Sequence, residues 1–276
     1  MALLLRLKEY MNRCFFSISA CLVIVSSLFA YEEWSLPNLI APTLLKPFAL
    51  EAQFQHQFWG RIDGADKFDR FFGIADGADV CFALRAVVWS TAQVNVSYDN
   101  MELFNQSRNE FAVGTSYAAA VPWIFLHVQA DAQFFSYASM KTFPEKRFNN
   151  FFVQAALQND PLFGRVGGLV DAGYDFDREA FGLGLGLDVK VIDLLDVYGE
   201  YFPVLKKPYD PLFPGRIIQN PFSFGVKLST ANHQFFIFFG NANEVGSRHL
   251  MAGTLDNNLR FGFSVKRLFS FPYPWF

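Results

Sequence analysis

The sequence has little cysteine, little charge and no excess of basic residues. It has three cysteines, and two of them, Cys14 and Cys21, lie in the N-terminal segment. A secreted mature chain would keep only Cys81, which excludes an internal disulfide framework and leaves Cys81 as a small buried residue. Charged residues make up 18% of the chain, with a net charge of -3, so nucleic acid is not an expected partner.

Long apolar runs are also missing beyond the N-terminal segment. No later run of 18 uninterrupted apolar residues occurs, so no transmembrane helix is predicted. The chain is nevertheless rich in aromatic residues, at 18%, with 35 phenylalanines. A soluble domain of this size could not easily bury so many rings, whereas a surface that faces lipid can carry them.

The N-terminal segment is typical of a secretory signal. Arg6, Lys8 and Arg13 precede an apolar run at 14–30, which ends on a small residue, Ala30. A lipoprotein cleavage site before Cys21 is an alternative, although the apolar run continues past it. The predicted organisation is a signal peptide at 1–30, an N-terminal periplasmic segment at 31–47 that is a candidate plug, and an outer-membrane β-barrel at 48–276.

The rest of the chain alternates apolar and polar residues with a period of two, which is typical of strands with two different faces. In 222–229, for example, apolar Phe222, Phe224, Val226 and Leu228 alternate with Ser223, Gly225, Lys227 and Ser229. Strands of about ten residues, tilted by about 45°, span roughly 23 Å, close to the apolar band of a membrane barrel. Twelve segments are predicted as strands: 48–59, 79–88, 92–99, 110–121, 124–133, 150–158, 165–174, 181–191, 195–203, 222–229, 234–241 and 259–266.

The connections between these segments alternate in length. Long connections are expected at 60–78, 102–108, 138–148, 204–220 and 242–257, with 175–179 as a short exception, and tight turns are expected between them. Long loops on one side and short turns on the other are typical of outer-membrane barrels. The predicted fold is an all-β, transmembrane, antiparallel up-and-down β-barrel of about 12 strands in the bacterial outer membrane, with its long loops outside the cell.

Tyrosines at strand ends agree with a membrane-spanning barrel. Tyr98, Tyr174 and Tyr201 fall at the outer ends of predicted lipid-facing rows, and Tyr117 falls at an inner end. These are positions for an aromatic girdle, where the ring is apolar and the hydroxyl remains in water.

Two sequence stretches resemble a known family. The segment His56-Gln57-Phe58 followed by Phe71-Phe72-Gly73-Ile74-Ala75-Asp76-Gly77-Ala78-Asp79 resembles a family of bacterial membrane β-barrel proteins of unknown function, and Phe261-Gly262-Phe263-Ser264-Val265-Lys266-Arg267 is similar to its last strand. The resemblance extends over roughly 40–270. It implies a barrel in the outer membrane and brings no activity.

The polar residues that alternate with the apolar ones along each strand are candidates for the lining of a lumen. These residues could set the field of a channel, or they could pair across neighbouring strands in a structural role. Gly182, Gly184 and Gly186 share the inward parity and favour a cavity or a packed segment, for which 31–47 is the candidate. The lumen-lining candidates are Glu51, Arg85, Glu110, His127, Asp131, Asp171, Asp188, Lys190, Glu200, Lys227, Arg260 and Lys266.

Catalytic and metal sites have weaker support. The loop 60–79 contains five aspartates among glycines, which could bind Ca²⁺, but their spacing is not that of an EF-hand. Gly-Leu-Gly-Leu-Gly at 182–186 has the wrong spacing for a dinucleotide fingerprint. A Ser–His site, as in outer-membrane phospholipases, needs a serine beside a histidine, and none is identified beside His127 or His56. No cofactor and no metal are expected.

Three function classes follow. The first is a passive channel or a barrel that binds or transports a small solute, and it rests on the polar inward rows. The second is a structural or surface-interaction barrel that acts through its extracellular loops, and the third is a lipid-processing enzyme. The expected partners are outer-membrane lipid, the barrel-insertion machinery and a small solute.

Overall fold

The computed structural model describes most of the chain beyond the N-terminal segment. The predicted signal peptide at 1–30 lies outside the described residues. The described residues are 35–42, 45, 49–69, 71, 74–89, 92–103, 106–121, 126–139, 147–207 and 217–270.

Thirteen strands account for nearly all of the described structure, as the period-two pattern predicts. A single turn of 3₁₀ helix at Ile74–Asp76 and one short helix, α1 (Ser247–Ala252), interrupt them. Among the described residues, no helix has the length and apolar character needed to traverse a bilayer. The strands are β1 (Ala49–Arg61), β2 (Ala78–Trp89), β3 (Ala92–Leu103), β4 (Gln106–Val121), β5 (Leu126–Ser139), β6 (Arg147–Asn159), β7 (Val166–Asp175), β8 (Ala180–Ile192), β9 (Leu195–Tyr201), β10 (Val204–Lys206), β11 (Phe222–Ser229), β12 (His233–Gly240) and β13 (Arg260–Ser270).

The sheet closes on itself into a barrel. Each strand pairs antiparallel with its neighbours, and β1 pairs with β13, from Ala49 opposite Ser270 to Gln57 opposite Gly262. Both β9 and β10 pair with β8, so they form one strand interrupted at Phe202 and Pro203, where proline has no N–H to donate. The prediction of a closed, twelve-stranded antiparallel barrel is confirmed, and closure leaves no edge strand among the strands that the structure describes.

The two faces of the barrel follow the sequence parity, with polar residues inside and apolar residues outside. Phe82 is 54% exposed and Leu187 is 52% exposed on the outer face, whereas Gln93 and Gln234 are fully buried on the inner face. This is the reverse of a soluble protein, in which exposed apolar patches of this extent would promote aggregation. The outer face is suited to hydrocarbon and the inner face to an enclosed polar space.

The connections differ between the two ends of the barrel. The N-terminus of β1, the C-terminus of β13 and the tight turn at 193–194 lie at one end, which we call the turn end. The described residues of the connection 62–77 and the two ends of the connection 241–259 lie at the other, which we call the loop end. The prediction of a long connection at 102–108 is wrong, because β3 and β4 remain paired as far as Leu103 opposite Gln106.

Two parts of the chain lie inside the barrel. Residues 35–42, here called the inner segment, precede β1, and Leu36 and Leu39 are buried against the barrel wall. Residues 241–259, here called the inner loop, connect β12 to β13 and carry α1, all six residues of which are buried. The prediction that 242–257 is a surface loop is therefore wrong in its placement, since the loop turns back from the loop end into the lumen.

Candidate functional site

The inward glycines of β8 make room for both internal elements. A Cβ at Gly182 would lie 2.3 Å from the carbonyl oxygen of Met251 in α1. A Cβ at Gly186 would lie 2.4 Å from Cδ1 of Leu36 in the inner segment. Because real Cβ atoms do not approach other atoms this closely, a side chain at either position would displace the element that packs there.

Two carboxylates of the wall hold the backbone of the inner segment. Glu200 accepts hydrogen bonds from the backbone N–H of Asn38 at 3.0 Å and of Leu39 at 3.2 Å, and also from the side-chain amide of Asn38 at 2.7 Å. Asp171 accepts one from the backbone N–H of Ile40 at 3.1 Å. Four hydrogen bonds to side chains of two different strands thus fix the position of the segment.

The inner loop is held by Arg248, which is almost completely buried. Its guanidinium pairs with Asp175 at 2.7 Å and with Glu110, and it stacks 3.8 Å from the centre of the Phe135 ring. Ser247 donates a hydrogen bond to Gln154 at 2.8 Å. The contacts of Arg248 therefore attach α1 to strands β4, β5 and β7 together.

His249 lies in a cluster of charged groups next to Arg248. Its Nδ1 is 3.3 Å from Glu244 and its Nε2 is 3.5 Å from Glu110, while the guanidinium of Arg178 is 3.1 Å from Nδ1. Burial and the charge of Arg248 lower the pKa of His249, but the Glu110 and Glu244 carboxylates outweigh them, so the pKa is raised overall. Protonated His249 is thus an additional link between the inner loop and the wall.

The inner segment and the inner loop meet at Asn38. Its side-chain oxygen accepts hydrogen bonds from the backbone N–H of Gly246 at 3.2 Å and from the amide of Gln55 at 2.7 Å. The same side chain donates to Glu200. One residue of the inner segment therefore contacts the inner loop and two different strands.

Further ion pairs lie deeper in the barrel. Near the turn end, Lys227 pairs with Asp188 and, at 2.8 Å, with Asp196. Arg85 pairs with Glu51 at 3.2 Å. Charges on neighbouring strands thus compensate one another, as a narrow interior requires.

A cavity of about 170 Å³ remains between the two internal elements and the wall formed by β1 to β5. The internal elements pack against the glycines of β8, on the other side of the barrel, which leaves this space open. The wall residues that line it are mainly amides and ion pairs, and they include Glu51, Gln53, Gln55, Arg85, Asn95, Asp99, Glu110, Gln129, Gln133 and Lys266.

The structure places most of the predicted lumen-lining residues inside the barrel. Arg85 and Lys190 are partly buried, and the side chain of His127 lies outside the described part of the structure. The other nine are buried: Glu51, Glu110, Asp131, Asp171, Asp188, Glu200, Lys227, Arg260 and Lys266. Not every one lines open space, since Lys227 and Asp188 pair with each other and Arg260 donates to Asp256 at 2.9 Å.

Sequence reasoning missed the residues of the inner loop. Arg248, His249 and Glu244 lie in a segment without period-two alternation, which was interpreted as a surface loop. The local signal that could have found them is the run Leu250-Met251-Ala252, which is apolar and follows two basic residues. Its partners, Glu110 and Asp175, lie far away in the sequence, so only the closed barrel brings them together.

The tyrosines predicted for a girdle lie on the outer face. Tyr98 is 44% exposed, Tyr117 58% and Tyr201 43%, while Tyr174 is partly buried against Phe176 and Lys206. Their outward position is compatible with a girdle, and their contact with the membrane interface stays a prediction.

The aspartates of 60–79 do not form one cluster. Asp79 is buried at the start of β2 and accepts a hydrogen bond from the backbone N–H of Val245 at 3.0 Å, whereas Asp63 pairs with Arg61 in the exposed loop. Within the described ranges, no group of three or more His, Cys, Asp or Glu side chains is arranged to hold a metal ion.

Comparisons with known proteins agree with the barrel. A family model described as a membrane bound beta barrel domain (DUF5777) matches residues 37–269. A search of curated proteins found no match.

Solved structures with a similar fold include outer-membrane barrels of several kinds. A KdgM porin in complex with disordered oligogalacturonate is 12% identical with a TM-score of 0.51, over 81% of this chain and 99% of that chain. The outer membrane protein Omp33 of Acinetobacter baumannii is 12% identical with a TM-score of 0.45, over 80% and 98%. The outer membrane phospholipase A of Escherichia coli is 12% identical with a TM-score of 0.43, over 81% and 94%. The first of these likenesses shows a shared barrel fold.

Proposed function

Because the chain belongs to the family of membrane bound beta barrel domains (DUF5777), we propose that it is an outer-membrane barrel for a small solute, closed at rest by its own inner segment and inner loop. Passage or binding of the solute then requires the inner loop to move. The proposal makes the lumen a gated space and assigns no catalytic reaction to it.

The observation that carries this proposal is the way in which the inner loop is held. Besides the packing of Met251 against Gly182, the loop is attached near the loop end by polar contacts from Arg248, Ser247 and Val245 to wall residues. Polar contacts of this kind can be exchanged for contacts with water. Below them lies a cavity lined by amides, charged groups and small apolar residues, which a purely structural filling of the barrel would not need.

Removal of Arg248 tests the proposal. In Arg248→Ala, the carboxylates of Glu110 and Asp175 lose their buried cation, and we expect their repulsion and hydration to displace the inner loop. Planar-bilayer recording of the purified chain should show rare or small openings for the wild type and frequent, larger ones for the variant. Arg61→Ala is the matched control, because Arg61 makes its ion pair in the exposed loop at the same end.

A second variant keeps the test decisive if Arg248→Ala does not fold. Replacement of residues 243–256 by a short Gly-Ser linker removes the inner loop altogether, so that water can fill its place and hydrate Glu110 and Asp175. Folding of every variant is checked by the shift in gel mobility on heating. Tight seals at all voltages for folded Arg248→Ala and for the shortened chain would contradict the proposal and favour a structural barrel.

One observation favours a second candidate, a barrel that interacts through its surface loops. In the connection 62–77, Phe68 is 72% exposed and Phe71 is 66% exposed at the loop end. Exposed aromatic residues are enriched in protein interfaces. A surface partner that is captured by the wild type and lost in Phe68→Ser/Phe71→Ser, with unchanged conductance, would support this candidate.

A further inference from the structure

The cavity beside the inner segment has a size and chemistry that restrict what it can hold. At the volume of liquid water, about 30 Å³ per molecule, 170 Å³ corresponds to about six waters. This is space for a molecule of monosaccharide size. No Phe, Tyr or Trp occurs among the described residues that line it.

Most charged groups of the lining already have a close partner of opposite charge, and the remaining one, Asp99, lies 3.8 Å from Nε2 of His249. Glu51 pairs with Arg85 at 3.2 Å, and Glu110 pairs with Arg248. Lys266 donates to the carbonyl oxygen of Leu36 at 2.9 Å. A charged solute would therefore have to break an existing ion pair in order to form a new one. The free energy lost by removing its charge from water would not be offset.

Amide groups dominate what remains. Gln53 and Gln55 come from β1, Asn95 from β3, and Gln129 and Gln133 from β5. Gln55 already uses one donor, to Asn38 at 2.7 Å, and Asn95 uses one, to Asp131 at 3.0 Å. An amide has two donors and an acceptor, so groups remain that match hydroxyls, which both donate and accept. Amides on three strands can thus surround a small hydroxyl-rich molecule.

One of these amides lacks a partner inside the described protein. Gln129 is 4% exposed, and its side-chain oxygen has no hydrogen-bond partner among the described atoms. Buried polar groups are almost always hydrogen-bonded, and a bare amide oxygen costs about 1–3 kcal/mol. The same holds for the side-chain amide of Gln93, which precedes Asn95 by two residues on the inner face of β3.

From these four observations we propose that the cavity between the inner segment and strands β1 to β5 binds a neutral, hydroxyl-rich solute of monosaccharide size, with Gln129 as one of its ligands. This inference rests on the proposed function and names the class of its solute. Binding needs no flux through the barrel and can be measured separately from conductance.

The test is equilibrium dialysis of the full chain, folded in detergent, against three sugars of nearly equal size. Glucose is the neutral probe, glucosamine the cationic one and glucuronate the anionic one, and galactose and mannitol extend the neutral set. We expect saturable retention of at least one neutral probe and at least 10-fold weaker retention of both charged probes.

Variants locate the binding to the cavity. Gln129→Leu should weaken retention by 10-fold or more, because the sugar hydroxyl loses its acceptor. Gln158→Leu is the matched control, since Gln158 is also buried on the inner face but does not line the cavity. Ala83→Phe fills the cavity and should abolish retention without removing any polar group.

Three results would overturn the inference: no retention of any neutral probe, tighter retention of a charged probe, or equal losses in Gln129→Leu and Gln158→Leu. If every variant retains a neutral sugar but none conducts, the binding site is supported and the proposed gating by the inner loop is refuted. If the barrel conducts but retains none of the neutral probes, gating is supported and the binding site is refuted.

Discussion

Single buried charges explain why the interior folds in one arrangement. Arg248 is 5% exposed and Glu200 is 3% exposed. An unpaired charge at such a depth would be destabilising by several kcal/mol, so each must find its partners during folding. Arg248 finds two carboxylates and an aromatic ring, and Glu200 finds backbone and side-chain donors of the inner segment.

His249 predicts a dependence of gating on pH. Its raised pKa means that protonated His249 stabilises the closed inner loop at pH values below its ordinary pKa, and this contribution is lost as the pH rises through the raised value. Burial raises the pKa of Glu244, but Arg178 and His249 outweigh it and lower the pKa overall, so its contribution is lost only as the pH falls through that lowered value.

The expected outcome is a barrel that is most firmly closed in the weakly acidic range. Open probability in a planar bilayer should increase several-fold from about pH 6 to about pH 9. His249→Gln should be more open at pH 6 and should change little over this range, while His233→Gln, on the outer face near the turn end, should behave as the wild type. A wild-type open probability that falls as pH rises would contradict this role for His249.

At the scale of elements, the strands were predictable and the internal elements were not. The alternation at 222–229 gave the bounds of β11, because one face meets the lipid side and the other the interior, and each strand carries that information in its own residues. Closure of the barrel and its even strand number followed from the same pattern.

The inner loop carries no comparable local signal. Helix α1 has only six residues, and an isolated helix of that length is not stable in water, so its existence depends on contacts with distant strands. The glycines at 182–186 indicated that something packs there, but their partners, Met251 and Leu36, come from the two opposite ends of the lumen. Only the register of the closed sheet decides which segment reaches them.

Asn38 predicts that the two internal elements are coupled. Asn38→Ala removes the acceptor of the Gly246 N–H and the donor to Glu200, each of which then lies buried without that partner. We expect the backbone amides of α1 to exchange with deuterium at least 10-fold faster than in the wild type.

Asn150→Ala is the control for this exchange measurement, because the side-chain oxygen of Asn150 accepts a hydrogen bond from the adjacent backbone N–H of Phe151. Unchanged exchange of α1 in Asn38→Ala, together with faster exchange of the inner segment, would show that the two elements move independently.

At the scale of the whole molecule, the interior has an excess of acidic groups. Among the described residues, ten carboxylates are buried, against four buried lysines and arginines. Once water enters, several of these carboxylates face the open path, and fixed charges of one sign set the selectivity of a pore. The chain with a shortened inner loop should therefore pass K⁺ in preference to Cl⁻.

The measurement is the reversal potential across a KCl gradient. Asp131→Asn/Asp171→Asn should reduce the cation preference, since both carboxylates lie on the inner wall, and Asp63→Asn in the exposed loop should leave it unchanged. Anion preference in the shortened chain would show that the buried carboxylates do not govern the open path.

The central claim is that the barrel faces lipid with its apolar rows and encloses its own inner loop. Collision accessibility of spin labels in the reconstituted chain tests it most directly, with one label at Phe224 on the outer face and one at Ser247 in the cavity. The account predicts that oxygen dissolved in the lipid reaches the Phe224 label, and that a bulky, charged chromium reagent in water reaches the Ser247 label far less than it reaches a label at the exposed Phe68. Free access of the water-soluble reagent to Ser247 would place the loop outside the barrel and contradict the account.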